Sequence, residues 1–255
     1  MKIATWNVNS VRARLERLLA WLQKTQPDIV CLQELKAKEE MFPHEAIRQA
    51  GYYAAVYGQR SFNGVGILSR IEPQNIVPGM DDGVDDQQAR FLAAQVDEIQ
   101  VLSAYVPNGQ VVGSEHYTYK LDWLRRLRAF LERHFTPEMP LVLCGDFNVA
   151  RDERDVADPV AWEETVLFHP TSRAALEELL GWGLVDVLRQ QHPEGGLYSW
   201  WDYRQAGFRR NVGARIDLVL VTRPLLARAV SCEIDPEPRR WEKPSDHAPV
   251  VAVFQ

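Results

Sequence analysis

The segment Leu143-Cys144-Gly145-Asp146-Phe147-Asn148 sets a carboxylate and a carboxamide at alternate positions directly after an apolar run. It reads as a buried strand that turns on glycine and presents both side chains at its end. A carboxylate there can take a proton from water, and a carboxamide can hold the water or an oxyanion. Alone, this pattern is also an ordinary turn. It recurs, however. Asn7 and Glu34 end two further apolar runs, and Tyr105 and Asn108 lie at the end of another. Asp217 precedes Leu218–Val221, and Asp246 and His247 precede Ala248–Phe254. If the later strands run antiparallel to the earlier ones, all these groups share one edge, and the sheets are mixed or antiparallel. Glu34, Asn7 and Asp246 are hard oxygen donors that suit Mg²⁺ or Mn²⁺. Asp146 is the candidate base. His247, fixed by Asp217, can donate to a phosphate or to Asp146. The chemistry that fits is metal-assisted hydrolysis of a phosphodiester, whose negative charge repels hydroxide until a cation neutralises it.

The elements that must position these groups are legible in outline. Lys2–Val8 and Ile29–Leu32 read as strands around a helix with Val11, Leu15, Leu18, Leu19 and Leu22 on one face and Ser10 as N-cap. Residues 42–51 read as a short helix with proline at its start and glycine after its end. Tyr52–Tyr57, Val65–Ser69, Arg90–Val96 and Ile99–Val106 read as strands, and Asn63-Gly64 is a hairpin signal. The acidic run Met80–Asp86 predicts an exposed, solvated loop without the spacing of a calcium loop. Glu115–Phe135 predicts a long helix with Tyr117, Leu121, Leu124, Leu127 and Leu131 inward and Lys120, Arg125, Arg126 and Arg128 on other faces. Thr171–Gly181 predicts another, capped by Thr171. From Tyr198 to Asp217, aromatic residues interleave with arginines, which suits stacking on bases beside phosphates.

The 255 residues are 46% hydrophobic and 25% charged, as in a soluble protein with a sizeable core. No apolar run reaches membrane-spanning length, and no basic-then-apolar leader opens the sequence. No repeat or linker divides residues 1–255, which read as a single domain. Cys31, Cys144 and Cys232 sit in or beside apolar runs and read as reduced thiols of a cytoplasmic protein. The net charge of −6 argues against nucleic acid on its face, but clustering decides, and the arginines around 204–215 are clustered. A phosphate-binding Walker loop, a dinucleotide turn, a nucleophile elbow and a zinc-protease helix are all absent.

Thr5-Trp6-Asn7-Val8-Asn9-Ser10, Leu32-Gln33-Glu34-Leu35-Lys36, Tyr105-Val106-Pro107-Asn108-Gly109, Gly145-Asp146-Phe147-Asn148, Arg215-Ile216-Asp217 and Ser245-Asp246-His247 occur in one order. In that order they resemble the exodeoxyribonuclease III family of the endonuclease/exonuclease/phosphatase superfamily. Trp200-Trp201-Asp202-Tyr203-Arg204 is similar to the bacterial branch. The resemblance implies a four-layer α/β sandwich, two mixed, mostly antiparallel sheets flanked by helices. It implies a Mg²⁺-dependent nuclease acting on duplex DNA as a monomer, by 3′–5′ exonuclease action and by incision at abasic sites. Glu34 would be the principal metal ligand, with Asn7 and Asp246 beside it. Asp146 would activate water, Asn148 would orient it, and Tyr105 would contact the phosphate or the leaving group. Asp217 would pair with His247. Arg90, Asn108 and Lys120 would approach the DNA backbone or the site, and Trp201 and Arg204 the DNA. Trp200, Ala214 and Ile216 would wall the abasic pocket. Relatives specialised for abasic incision resemble one another in having tryptophan at the position of Ala214 and tend to have a small residue at that of Leu167, so strong abasic activity does not follow from this sequence and the balance of the two activities stays open. The number of metals and the identity of the base remain open. A phosphodiesterase or phosphatase acting on another substrate, and an inactive DNA-binding module, are the alternative readings.

Overall fold

The computed structural model describes residues 1–255. In chain order the strands are β1 (Lys2–Asn7), β2 (Ile29–Gln33), β3 (Tyr53–Tyr57), β4 (Val65–Ser69), β5 (Gln74–Pro78), β6 (Phe91–Val96), β7 (Ile99–Tyr105), β8 (Leu141–Asp146), β9 (Val185–Asp186), β10 (Asp217–Val221), β11 (Ala229–Ile234) and β12 (Val250–Phe254). They form two six-stranded sheets, in the orders β11-β12-β1-β2-β4-β3 and β5-β6-β7-β8-β10-β9. Each sheet holds one parallel pair, β1 with β2 and β7 with β8, and is otherwise antiparallel. The helices that concern the site are α1 (Leu15–Thr25), α2 (His44–Gln49), α3 (Glu115–His134), the one-turn α4 (Pro159–Trp162) and α5 (Pro170–Leu180).

Pleat alternation produces the four layers. Ile3, Cys31, Val142, Cys144, Val219 and Val221 fill the core between the sheets. Their neighbours Ala4, Trp6, Val30 and Leu32 pack with Leu18, Trp21 and Ile47 of α1 and α2. Leu141, Leu143, Leu218 and Leu220 pack with Trp123, Leu127, Leu131 and Leu176 of α3 and α5. Strands buried on both faces read as continuous apolar runs, which is why they were visible in the sequence. No helix is long and apolar enough to cross a membrane.

Several local readings change. Helix α1 begins at Leu15 rather than after Ser10. The backbone N–H groups of Val8, Ser10 and Val11 donate to Gln33, Glu34 and Leu35 carbonyls, so this stretch runs beside the β2 exit and cannot coil. Helix α5 is capped by His169, whose ring nitrogen accepts from the Thr171 N–H, with Pro170 at the first helical position. Strands β5, β9 and β11 went unread. β5 lies at a sheet edge with largely exposed side chains, β11 lies at another with mixed burial, and β9 has only two residues. Asn63 and Gly64 both take positive φ (55° and 89°), but Tyr57 pairs with Val65, so they close a longer loop. The acidic run is not merely solvated: Asp82 and Asp86 clamp Arg126 at 2.6 and 2.8 Å.

Candidate active site

Strand register builds the site. Asn7 pairs with Gln33, the residue before Glu34, at the parallel exit of β1 and β2. Tyr105 pairs with Asp146 at the parallel exit of β7 and β8. Antiparallel β10 begins with Asp217 opposite Asp146. Antiparallel β12 follows His247, and the Ser245 hydroxyl donates to the Asn7 carbonyl at 2.7 Å. The edge foreseen from the polar strand ends is therefore present. Gly145 makes the approach possible: a Cβ there would stand 1.8 Å from the Ala104 carbonyl oxygen on β7.

At this edge the Asn7 amide donates to Glu34 Oε1 and to Asp146 Oδ2, both at 2.9 Å. Glu34 Oε1 also accepts from the Tyr105 hydroxyl at 3.0 Å, and Glu34 Oε2 faces Lys36 Nζ at 2.8 Å. His247 Nδ1 lies 2.8 Å from Asp217 Oδ2, and its Nε2 lies 3.7 Å from Asp146 Oδ2. Asp246 accepts from Asn9 Nδ2 at 2.9 Å and from Trp200 Nε1 at 3.0 Å. The Asn148 N–H donates to Asp146 Oδ1 at 2.9 Å, and Asn108 Nδ2 donates to Asn148 Oδ1 at 3.1 Å. Arg90 stacks over the Tyr105 ring, 4.5 Å from its centroid. A cleft of about 400 Å³ opens beside Glu34, Lys36, Arg90, Tyr105 and Asn108.

Four carboxylates, those of Glu34, Asp146, Asp217 and Asp246, meet only Lys36 and His247 among cations here. Burial pushes the Asp146 carboxyl up to about 7; His247 opposes this and Asp217 and Glu34 add to it. Burial lowers the His247 pKa, but Asp217 and Asp146 outweigh it and raise the imidazole to about 10. Burial also raises Glu34, yet hydrogen bonds from Asn7 and Lys36 bring it below its ordinary value. Burial and then the charge of Glu34 hold the Tyr105 phenol well above its ordinary value, so it remains a donor.

Asp146 and His247 both bind a proton more tightly folded than unfolded. Their stabilising contribution is complete below the unfolded pKa values, about 4 and about 6.5. It is lost as pH rises through about 7 for Asp146 and about 10 for His247. Thermal unfolding in chelator is therefore expected to show a Tm that falls as pH rises from about 4 to about 8, and Asp146→Asn should flatten that slope. An unchanged slope in the variant would exclude Asp146 as the titrating group.

The sequence-predicted groups converge with three corrections. Asn7 presents its amide nitrogen to the carboxylates, while its carbonyl oxygen accepts from the Asn9 N–H at 3.0 Å, so it bridges the acids rather than offering them an oxygen. Lys120 is fully buried, so of the two expected approaches it makes the one to the site, from within through the Asn108 and Asn148 carbonyls, and not the one to the DNA backbone. Burial draws its pKa down to about 7, with Asp146 opposing, yet three carbonyl acceptors match the three protons of an ammonium. Trp201 is 3% exposed, packs edge-on to Phe208 and donates to Asn211, so its ring is core. Arg204 is exposed and paired with Asp202 at 2.6 Å. Trp200, Ala214 and Ile216 share one apolar cluster, and Trp162 of α4 stands edge-on to Trp200 at 6.2 Å. Asn9, Ser199 and Trp162 were given no role from the sequence. Asn9 repeats the Asn7 pattern after one valine, which was a usable signal; Ser199 and Trp162 carried none.

The sequence matches the Endonuclease/Exonuclease/phosphatase family over residues 4–247. It is 34% identical to the exodeoxyribonuclease III of Haemophilus influenzae, with 100% of both chains covered. The structure superposes on an AP endonuclease from Archaeoglobus fulgidus with a TM-score of 0.97 and 41% identity, covering 100% of this chain and 99% of the other. It superposes equally on the 3′–5′ exonuclease NExo from Neisseria meningitidis, with a TM-score of 0.97, 42% identity and 100% of both chains covered. Register, site and similarity agree: the chain belongs to the endonuclease/exonuclease/phosphatase family, in its exodeoxyribonuclease III branch.

Proposed function

We propose that the protein is a divalent-metal-dependent DNA repair nuclease that hydrolyses phosphodiesters of duplex DNA, chiefly from 3′ ends and more weakly at abasic sites. The observation that carries this reading is the joining of Glu34, Asn7 and Asp146 to the Asp217–His247 pair at one sheet edge. The two sheets act as one catalytic domain, working as a monomer in the cytoplasm.

The donor set fits a hard divalent cation. Glu34 and Asp146 bring carboxylate oxygens within 4.8 Å of each other, and negative charge exceeds positive around them. His247 falls in the same cluster, but its Nδ1 faces Asp217 and its Nε2 faces Asp146, an arrangement that suits a hydrogen-bond donor. Glu34 would hold Mg²⁺, with Asp246 as the second carboxylate and Asn7 orienting Glu34 against Asp146. When bound, the cation would neutralise phosphate charge and polarise its oxygen. Asp146, held between the Asn7 amide and His247, takes the proton of the attacking water. Asn148 holds that water or a phosphate oxygen. Protonated His247, oriented by Asp217, donates to another phosphate oxygen. The Tyr105 hydroxyl lies on the Glu34 side and donates toward the departing oxygen. Arg90 and Asn108 line the cleft that would take the strand, and exposed Arg204 would contact its backbone.

Weak abasic incision is argued from packing. Leu167 is 8% exposed and shares a small cluster with Tyr117 and Val166, against which Trp162 and Trp200 pack, so bulk occupies the region meant to admit a base-less sugar. Ala214 supplies no aromatic wall there. The test uses two end-labelled duplexes, one intact and one with a single stable abasic analogue, each with Mg²⁺ and with chelator. A Mg²⁺-dependent ladder shortening from the 3′ end, equal on both, is expected. A single cut beside the analogue would overturn the claimed balance. No product from either duplex would favour a different phosphodiester.

A further inference from the structure

Lys120 is the one lysine of α3, and no part of it reaches solvent. Its ammonium donates to the carbonyls of Asn148 and Val166, both at 2.7 Å, and of Asn108 at 3.1 Å. These acceptors lie on three separate segments: the turn after β7, the turn after β8 and the approach to α5. Each segment carries part of the site. Asn108 holds the Asn148 side chain, Asn148 holds Asp146, and Val166 and Leu167 belong to the small cluster against which Trp200 packs. Two further bonds tighten the junction, from the Ala150 N–H to the Leu167 carbonyl at 2.7 Å and from the Ser172 hydroxyl to the Val166 carbonyl at 3.0 Å. The turn after β7 closes directly on the lysine: a Cβ at Gly109 would stand 3.0 Å from Lys120 Cδ.

Three carbonyl dipoles aimed at one point repel one another unless a cation lies between them. Asn148 also holds a left-handed backbone, with φ of 50°, that its neighbours must maintain. We propose that Lys120 is a positioning residue: it ties the Asn148 turn to the Leu167 segment, so that the reacting phosphate and the end of the substrate strand are held in one register. This rests on the nuclease reading above. Lys120 touches neither substrate nor reacting atoms.

Lys120→Met keeps the length and the apolar stem and removes the charge. Variant and wild type are compared on a 3′-recessed duplex and an abasic duplex with Mg²⁺, and by amide hydrogen exchange without metal. The expected result is a kcat about 10²-fold lower with KM within about threefold, the signature of a displaced group. The Asn148 and Ala150 amides should exchange at least about tenfold faster, while strand β8 stays protected. Near-wild-type kcat and exchange would overturn the proposal. Should Lys120→Met fail to fold, Ser172→Ala removes the bond to the Val166 carbonyl, together with the contact to the Tyr117 hydroxyl at 2.9 Å, and leaves the ammonium in place. It is expected to speed Ala150 exchange and to change the ratio of abasic incision to exonuclease by about threefold or more. An unchanged ratio with unchanged exchange would overturn the coupling. A wild-type protein that cleaves neither duplex overturns the nuclease reading, and the exchange comparison still decides the role of Lys120.

Discussion

Replacing Glu34 by alanine is expected to lower Mg²⁺-dependent cleavage by more than about 10³-fold, since one lost transition-state donor alone removes about 10²–10³. Glu34 is the carboxylate on which Asn7, Tyr105 and Lys36 all converge. The fold should survive. Asn7 keeps Asp146, Lys36 keeps the Asn9 side chain at 2.7 Å, and the Tyr105 hydroxyl faces the cleft. Thermal unfolding checks the fold, and Mn²⁺ titration by calorimetry checks the site, with affinity expected to drop by more than about 10²-fold. Cleavage within about tenfold of wild type would remove Glu34 from the proposed ligand set.

Asp217→Asn is expected to reduce kcat by about 10³-fold or more, because a carboxylate facing an imidazole orients the ring and holds it in its protonated, donating form. In the wild type, Asp217 Oδ2 accepts from the Ser199 hydroxyl at 2.7 Å as well as facing His247. Its Oδ1 is buried without a partner, which leaves the charge directed at the ring. Asp217 is the leading influence raising His247 to about 10 against burial. Without it, the imidazole loses its proton at lower pH. The rate ratio of wild type to variant should therefore widen as pH rises from about 6 to about 9. A ratio constant across that range would sink the assignment of His247 as a proton-bearing donor.

How much of this was legible depends on where each residue's meaning resides. Asn7, Glu34, Asp146 and Asp217 could be found because each interrupts or borders a strand buried on both faces, and His247 because it precedes the apolar run of half-covered β12. Convergence followed from topology, since β10 and β12 run antiparallel to β8 and β1. Strands β5 and β11 are illegible because edge strands, exposed in β5 and only partly covered in β11, carry no continuous apolar run. Lys120 was misread as surface. The sequence held a warning: it lies three residues after Tyr117 and four before Leu124, within the inward stripe of α3. A buried lysine is rare enough that charge overruled spacing. Trp201 was misread for the opposite reason, because its neighbours Trp200 and Tyr203 do lie nearer solvent.

The place of β12 in the first sheet bears on how the protein is made. β12 is inserted between β1 and β11, and the amino group of Met1 bonds to the Phe254 carbonyl across 253 positions. During synthesis β1 therefore emerges first while one flanking strand emerges last, leaving an unpaired apolar edge of the kind that invites aggregation. Asp246 and His247 arrive with that last strand. The nascent polypeptide thus carries no complete catalytic edge until the first sheet closes, and recovery of cleavage on refolding should track that slow, long-range closure rather than the earlier gain of helix.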